Sequence, residues 1–292
     1  MLQRAISGFF FVLIMVGSIW FSIWTMLVLF TVIAIIALFE FYALRNAVQK
    51  GIDKRVLIAA GLIAFFITLL KAPNPIYSGS DAIIHVHSYL MAAQLLTYVL
   101  GGAVLLLCVI RDLFDKEFHF VNTSNGLFAA FFIGVPFGLL FHFIQYKGTH
   151  QSYSGEYLLY FFILLWTNDT MAYLSGKFLG RHKLWERISP KKTWEGFFGG
   201  LVFTILAAFI IRYYAKMELP MVLFLIIPIV VSVFGTLGDL AESHLKRQAG
   251  VKDSGNIMPG HGGVLDRFDG ILLSVPALFL FLSLILLFFP PL

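Results

Sequence analysis

The strongest constraint on this chain is a series of apolar runs long enough to cross a bilayer. Nine can be marked, at roughly 5–21, 23–43, 56–72, 89–110, 125–144, 156–176, 196–214, 219–238 and 270–289. A helix needs about 20 apolar residues to span the hydrocarbon core. Lipid offers no hydrogen bonds, so a span must be a helix or part of a closed barrel. The strict alternation of barrel strands is absent. The chain is therefore expected to be an all-α integral membrane protein with about nine transmembrane helices. Hydrophobic residues make up 59% of it and charged ones 13%. Soluble domains average roughly a quarter charged, so a water-soluble α/β enzyme is excluded.

The N-terminus invites one check. Arg4 ahead of an apolar stretch resembles a signal peptide. No small-residue cleavage pattern follows, and a second apolar run starts after Phe21 and Ser22. The first run is expected to stay as a membrane helix. Cys108 is the single cysteine; inside an apolar run it reads as a small buried hydrophobe.

Orientation follows from the distribution of Lys and Arg. With the N-terminus in the cytoplasm, 17 of the 21 fall on the cytoplasmic side. The other four are Lys71, Lys147, Arg212 and Lys216. Two cytoplasmic loops stand out, 177–195 and 239–269. On the outer side the 73–88 loop carries His85 and His87. With no acid or cysteine nearby, that pair reads as ordinary loop polarity. Chemistry-bearing residues concentrate late in the chain. Residues 1–150 are expected to be a scaffold of membrane helices facing lipid, and 151–292 the catalytic region.

Four constellations could carry chemistry. Asn168-Asp169 lies past the middle of the sixth run. A carboxylate there costs a few kcal/mol on insertion scales, so it is expected to face a polar cavity or a partner. The second is the loop 176–196, with Lys177, Arg181, Lys183, Arg187, Lys191 and Lys192. Such charge attracts anionic headgroups. The compact run Ser189-Pro190-Lys191-Lys192-Thr193 adds hydroxyls beside a helix start that Thr193 or Ser189 can cap. Lysines, hydroxyls and a helix N-terminus together suit a polyphosphate. The third is Asp239, Glu242, Ser243 and Lys246, which share one face if the eighth helix continues. The fourth is the run 251–269, where Pro259, Gly260, Gly262 and Gly263 form a turn permitting close backbone approach. It also carries Lys252, Asp253, His261, Asp266, Arg267 and Asp269. Acids at a helix start are favoured by the dipole alone. That does not account for His261, Arg267, Lys252 and Asp253 in the same short loop.

Five aspartates (169, 239, 253, 266, 269) and many cations thus gather on one membrane face. Hard carboxylate oxygens suit Mg²⁺ bridging to phosphates, and the cations suit phosphates directly. No cysteine–histidine set suggests zinc, and no Walker loop is present. The pattern points to phosphoryl or nucleotidyl transfer at a membrane interface without naming the nucleotide.

The run Ser243-x₂-Lys246-Arg247-x₄-Lys252-Asp253-x-Gly255, then Pro259-Gly260-His261-Gly262-Gly263-x₂-Asp266-Arg267-x-Asp269, resembles the signature of the phosphatidate cytidylyltransferases (CDP-diacylglycerol synthases). The stretches NDTMAYLSGKFLGRHKL and ISPKKTWEG are similar to this family too. The likeness covers about 166–270; the first 150 residues match in hydropathy alone. Serine often follows the last aspartate of the signature, and this chain has Gly270.

The resemblance implies a multi-pass enzyme of the inner (plasma) membrane acting in phospholipid biosynthesis. Its active site would face the cytoplasm, and it is expected to form a homodimer and to bind no nucleic acid. It would join CTP to phosphatidic acid, giving CDP-diacylglycerol and pyrophosphate. Mg²⁺ is implied, with a monovalent ion such as K⁺ beside it. Carried over residue by residue, Asp239 and Asp266, and with them Asp269, would hold the metal. Ser189, Lys191 and Lys192 would take the CTP phosphates, and Lys246, Arg247 and Asp253 would belong to the substrate site. Arg267 or Lys252 would neutralise the phosphatidate. Asn168 and Asp169 would line the cavity and orient nucleotide or metal. His261 would bind phosphate or shape the loop.

Two rival readings fit the sequence less well. A CDP-alcohol phosphotransferase would carry DG-x₂-AR-x₈-G-x₃-D-x₃-D, which is absent from the sequence. A transporter would place its acids near the bilayer midplane, whereas here most sit at one face.

Overall fold

The computed structural model describes residues 2–70, 120–147, 152–216, 221–257 and 262–288, with Leu106, Asp112 and Gly260. The expected span 89–110, the 73–88 loop with His85 and His87, Cys108 and His261 lie outside the described residues. By contacts the chain falls into two compact units. One comprises Met1–Tyr157 with Asp253–Leu265, the other Leu158–Lys252 with Asp266–Leu292. Five helical stretches among the described residues are long and apolar enough to cross a membrane: Ile23–Val48, Val121–Phe143, Trp194–Ala215, Met221–Gln248 and Leu265–Ile285. This is a mostly helical membrane protein.

The first unit opens with α1 (Leu2–Phe21), α2 (Ile23–Val48) and α3 (Lys54–Leu70). Ser22 separates the first two in an extended conformation, and its hydroxyl caps α2 by accepting from Thr25 N at 3.2 Å. The helix over 121–143 is not uniform. It runs as α4 (Val121–Ala129), a π-helical turn Ala130–Gly134, α5 (Val135–Leu139) and a 3₁₀ turn Leu140–Phe143. Pro136 sits just after the wide turn; it has no N–H to give the regular ladder, and such bulges absorb the mismatch. Gly134 and Gly138 let this helix press against α3. A Cβ on Gly134 would come within 2.9 Å of the Ala64 Cβ, and one on Gly138 within 2.6 Å of the Phe65 carbonyl oxygen.

Aromatic rings fill the space between these helices. Phe30, Phe41, Phe65 and Phe137 are fully buried, and Phe41 meets Phe128 edge-on at 5.1 Å. The start of α4 is capped from outside. Buried Asp112 accepts from Asn122 N at 2.9 Å and Thr123 N at 2.7 Å. Burial pushes its carboxyl up, but the hydrogen bonds from Thr123 and Asn122 outweigh it and hold the group below the usual carboxylate range.

The second unit is built on α6 (Glu156–Leu179), α7 (Trp194–Ala215), α8 (Met221–Gln248), the single turn α9 (Leu265–Phe268) and α10 (Ile271–Phe288). Small residues set the α6–α7 distance: a Cβ on Gly196 would lie 2.7 Å from the Ala172 carbonyl oxygen. The eighth helix does continue past the apolar run, through Gln248. It ends in a left-handed Gly250, φ +72°, with Val251 N bonded to Lys246 O at 3.0 Å and Gly250 N to Arg247 O at 3.1 Å, a Schellman closure.

Two short antiparallel ribbons depart from the all-α expectation. One pairs β1 (Gln145–Lys147) with β2 (Ser152–Ser154). The other pairs β3 (Lys183–Trp185) with β4 (Ser189–Thr193), so the basic loop expected between α6 and α7 is a hairpin. Lys183 Nζ donates to Pro190 O at 2.7 Å across it. Strands this short carry too few residues for alternation to appear in the sequence.

Candidate nucleotide-binding site

The site lies within the second unit. A cavity of about 640 Å³ is lined by Asn168 and Asp169 from α6, Ser189, Lys191 and Lys192 from β4, and Asp239 from α8. Each wall is placed by local structure. Thr193 ends the hairpin and caps α7, its Oγ1 accepting from Gly196 N at 3.1 Å. Glu195 in the first turn of α7 ties down the preceding loop. It accepts from Arg181 N at 3.0 Å and pairs with His182 Nδ1 at 2.6 Å. The hairpin is therefore clamped at its base, with Lys191 exposed and Ser189 and Lys192 half-buried.

Lys192 Nζ reaches α8 and pairs with Asp239 Oδ2 at 2.5 Å. Ser243 donates to the other oxygen of Asp239 at 3.1 Å. One turn on, buried Lys246 lies between two carboxylates, Glu242 and Asp266, the latter at 2.5 Å. Asp269 accepts from Gly270 N at 2.7 Å and lies in electrostatic reach of Asp169, Asp239, Glu242 and Lys192. Asp169 in turn feels Asp239, Lys192 and Arg267. Gly238 permits this crowding, because a Cβ there would strike the Asp269 carbonyl oxygen.

Five carboxylates (Asp169, Asp239, Glu242, Asp266 and Asp269) thus share one region with three cations, Lys192, Lys246 and Arg267. Uncompensated charge is costly in a low-dielectric setting, and a bound cation would relieve the repulsion among these carboxylates. The donor chemistry, hard oxygens only, suits Mg²⁺. Among the described residues no three such groups converge on one point, and lysines stand against Asp239 and Asp266. Asn168 is buried, with its Oδ1 bound to nothing among the described atoms, and Glu242 Oε1 is likewise without a hydrogen-bond donor.

The structure therefore brings together Asn168, Asp169, Ser189, Lys191, Lys192 and Asp239 around the cavity, with Lys246, Asp266 and Asp269 in the adjoining charge network. It leaves others apart. Arg247 is exposed and bonds Val251 O at 3.0 Å, which closes the end of α8. Lys252 and Asp253 are exposed. Arg267 is exposed yet electrostatically linked to Asp169. His261 lies outside the described residues. Glu242, on the same face of α8 as Asp239 and Lys246, was not among the expected site residues, yet it is fully buried at the centre of the Lys246 network.

A family profile described as the cytidylyltransferase family matches residues 2–285. Among curated relatives, the phosphatidate cytidylyltransferase of Bacillus subtilis (strain 168) is 45% identical over 182 residues, which is 62% of this chain and 66% of that protein. The phosphatidate cytidylyltransferase of Staphylococcus haemolyticus is 42% identical over 163 residues, 56% of this chain and 60% of that protein. For that of Staphylococcus saprophyticus the identity is 35% over 241 residues, 82% of this chain and 85% of that protein. The chain spans less than two thirds of the length of the first two and most of the third. By the profile match and by its likeness to these relatives, the chain belongs to the cytidylyltransferase family.

Proposed function

We propose that this protein transfers the cytidylyl group of CTP to phosphatidic acid, yielding CDP-diacylglycerol and pyrophosphate. The observation that carries the reading is the Lys192–Asp239 contact at 2.5 Å, where a hairpin of hydroxyls and cations meets a cluster of carboxylates. Polyphosphate and metal would meet at that same junction. A phosphate oxygen of phosphatidate attacks the α-phosphorus of CTP, the bond from that phosphorus to the bridging oxygen breaks, and pyrophosphate carries the electrons away. The nucleophile is already an anion, so no strong base is required. Catalysis rests on positioning and on charge neutralisation.

In this reading Ser189, Lys191 and Lys192 hold the CTP phosphates, and Lys192 gives up part of its contact with Asp239 to do so. Asn168 and Asp169 line the nucleotide side of the cavity, where the free Asn168 oxygen accepts a donor from the ligand. Asp239, Asp266 and Asp269 would hold Mg²⁺, with a monovalent ion beside it. When bound, Mg²⁺ supplies Lewis-acid neutralisation of the phosphate oxygens. Arg267 faces the phosphatidate headgroup. The wider setting is a homodimer in the bacterial plasma membrane, each protomer with nine spans, its N-terminus and its site in the cytoplasm. The segregation of 17 of 21 basic residues supports that sidedness.

The test uses purified protein in mixed micelles with phosphatidic acid, Mg²⁺ and CTP labelled at either the α- or the γ-phosphate. The α-label should enter the lipid phase and the γ-label should leave as pyrophosphate. Loss of only the γ-phosphate, or no label in lipid, rejects the proposal.

A further inference from the structure

One buried acid plays no part in the reaction as described. Glu40 sits in the last third of α2, in an otherwise apolar run, and is 6% exposed. An ionisable side chain inside a membrane helix is expensive and calls for a specific partner. Among the described residues, three neutral donors from one short segment of the same unit bond to it. Oε1 accepts from Val264 N at 2.9 Å. Oε2 accepts from Leu265 N at 2.8 Å and from Ser254 Oγ at 2.8 Å. The two backbone N–H groups therefore take different oxygens, and only a carboxylate offers two acceptors in that geometry. A glutamine would set an amide N–H₂ against one of the donors, and an aspartate is one methylene short.

The segment is shaped around this carboxylate. A Cβ on Gly263 would lie 2.6 Å from Glu40 Oε1, and one on Gly255 would lie 2.9 Å from Glu40 Cδ. Two glycines of the signature are thus small because Glu40 lies against them. Val264 and Leu265 lead directly into the turn Leu265–Phe268, and Asp266 is the next residue in the chain. Backbone N–H groups at a helix start have no partner of their own; here Glu40 supplies it from 224 residues away in sequence.

We propose that Glu40 is a positioning residue, which fixes the backbone of Val264 and Leu265 and so the turn from which Asp266 departs. This rests on the reading of Asp266 given above. The test compares the purified full-length protein with Glu40→Gln and Ser254→Ala, by hydrogen exchange of individual amides and by steady-state kinetics. In Glu40→Gln, exchange at Val264 and Leu265 should rise at least tenfold, with the 189–193 hairpin unchanged. Turnover should fall at least 100-fold while KM for CTP stays within threefold. Ser254→Ala keeps both backbone bonds; exchange at these amides should rise less than threefold and turnover fall less than tenfold. The role is overturned by unchanged exchange at 264 and 265 in Glu40→Gln. It is equally overturned by faster exchange with wild-type turnover, or by protection lost along all of α2. A wild type without turnover rejects the functional reading and the positioning role with it, and the exchange data would then still report the Glu40 contact by itself.

Discussion

The two units hold their carboxylates in different ways. In the first, Glu40 and Asp112 are met by neutral donors, chiefly backbone N–H groups at the start of a turn or helix. Such partners are fixed by the fold and cannot be traded for a ligand. In the second, Asp239, Glu242 and Asp266 are met by the flexible ends of Lys192 and Lys246, and Asp269 faces other acids. An ammonium on a four-carbon stem can move to a phosphate and back. Backbone-held carboxylates build structure; lysine-held ones form a site whose partners can be exchanged.

The sharpest way to break this contrast is to neutralise a carboxylate of the second kind. Asp266→Asn should abolish turnover, by about 1,000-fold or more, while the protein still inserts and elutes as wild type; activity near wild type would reject its role. Lys192→Ala should follow, with a loss of about 100-fold in kcat/KM, on the order of 3 kcal/mol. A weakened response to CTP concentration would place that loss in nucleotide binding. Lys246→Met attacks stability instead. It strands Glu242 and Asp266 without their cation, and breaking a buried pair in this way costs about 3–5 kcal/mol. Thermal unfolding in detergent should show a marked fall in Tm.

The smallest effect separates the first kind. The carboxyl of Asp112 titrates below its ordinary value when folded, so its contribution is full above the unfolded value of about 3.9. That contribution is lost as pH falls through the lower folded value. Asp112→Asn should lower stability by about 1–2 kcal/mol at neutral pH, with a gap from wild type that narrows below pH 4. A gap that widens in acid would contradict the assignment.

How much of this was legible in the sequence depends on the range of the interaction. Apolar runs revealed the helices, because a span needs only local hydrophobicity. The capping of α7 by Thr193 was readable, since donor and acceptor lie three residues apart. The shared face of Asp239, Glu242, Ser243 and Lys246 followed from helical spacing once α8 continued. The β3–β4 hairpin was not readable, its strands being too short to display a period. Glu40 escaped notice for another reason. A lone acid near the end of an apolar run looks like a helix flank, and its partners lie more than 200 residues away. The glycines at 255 and 263 looked like flexibility and proved to be clearance for that carboxylate.

The most direct test of the central claim is a structure of the protein with CTP and Mg²⁺. The account predicts the triphosphate against Ser189, Lys191 and Lys192, with Lys192 Nζ drawn away from Asp239 and the metal on the freed carboxylates. A triphosphate bound away from the 189–193 hairpin, with the Lys192–Asp239 pair intact, would contradict it.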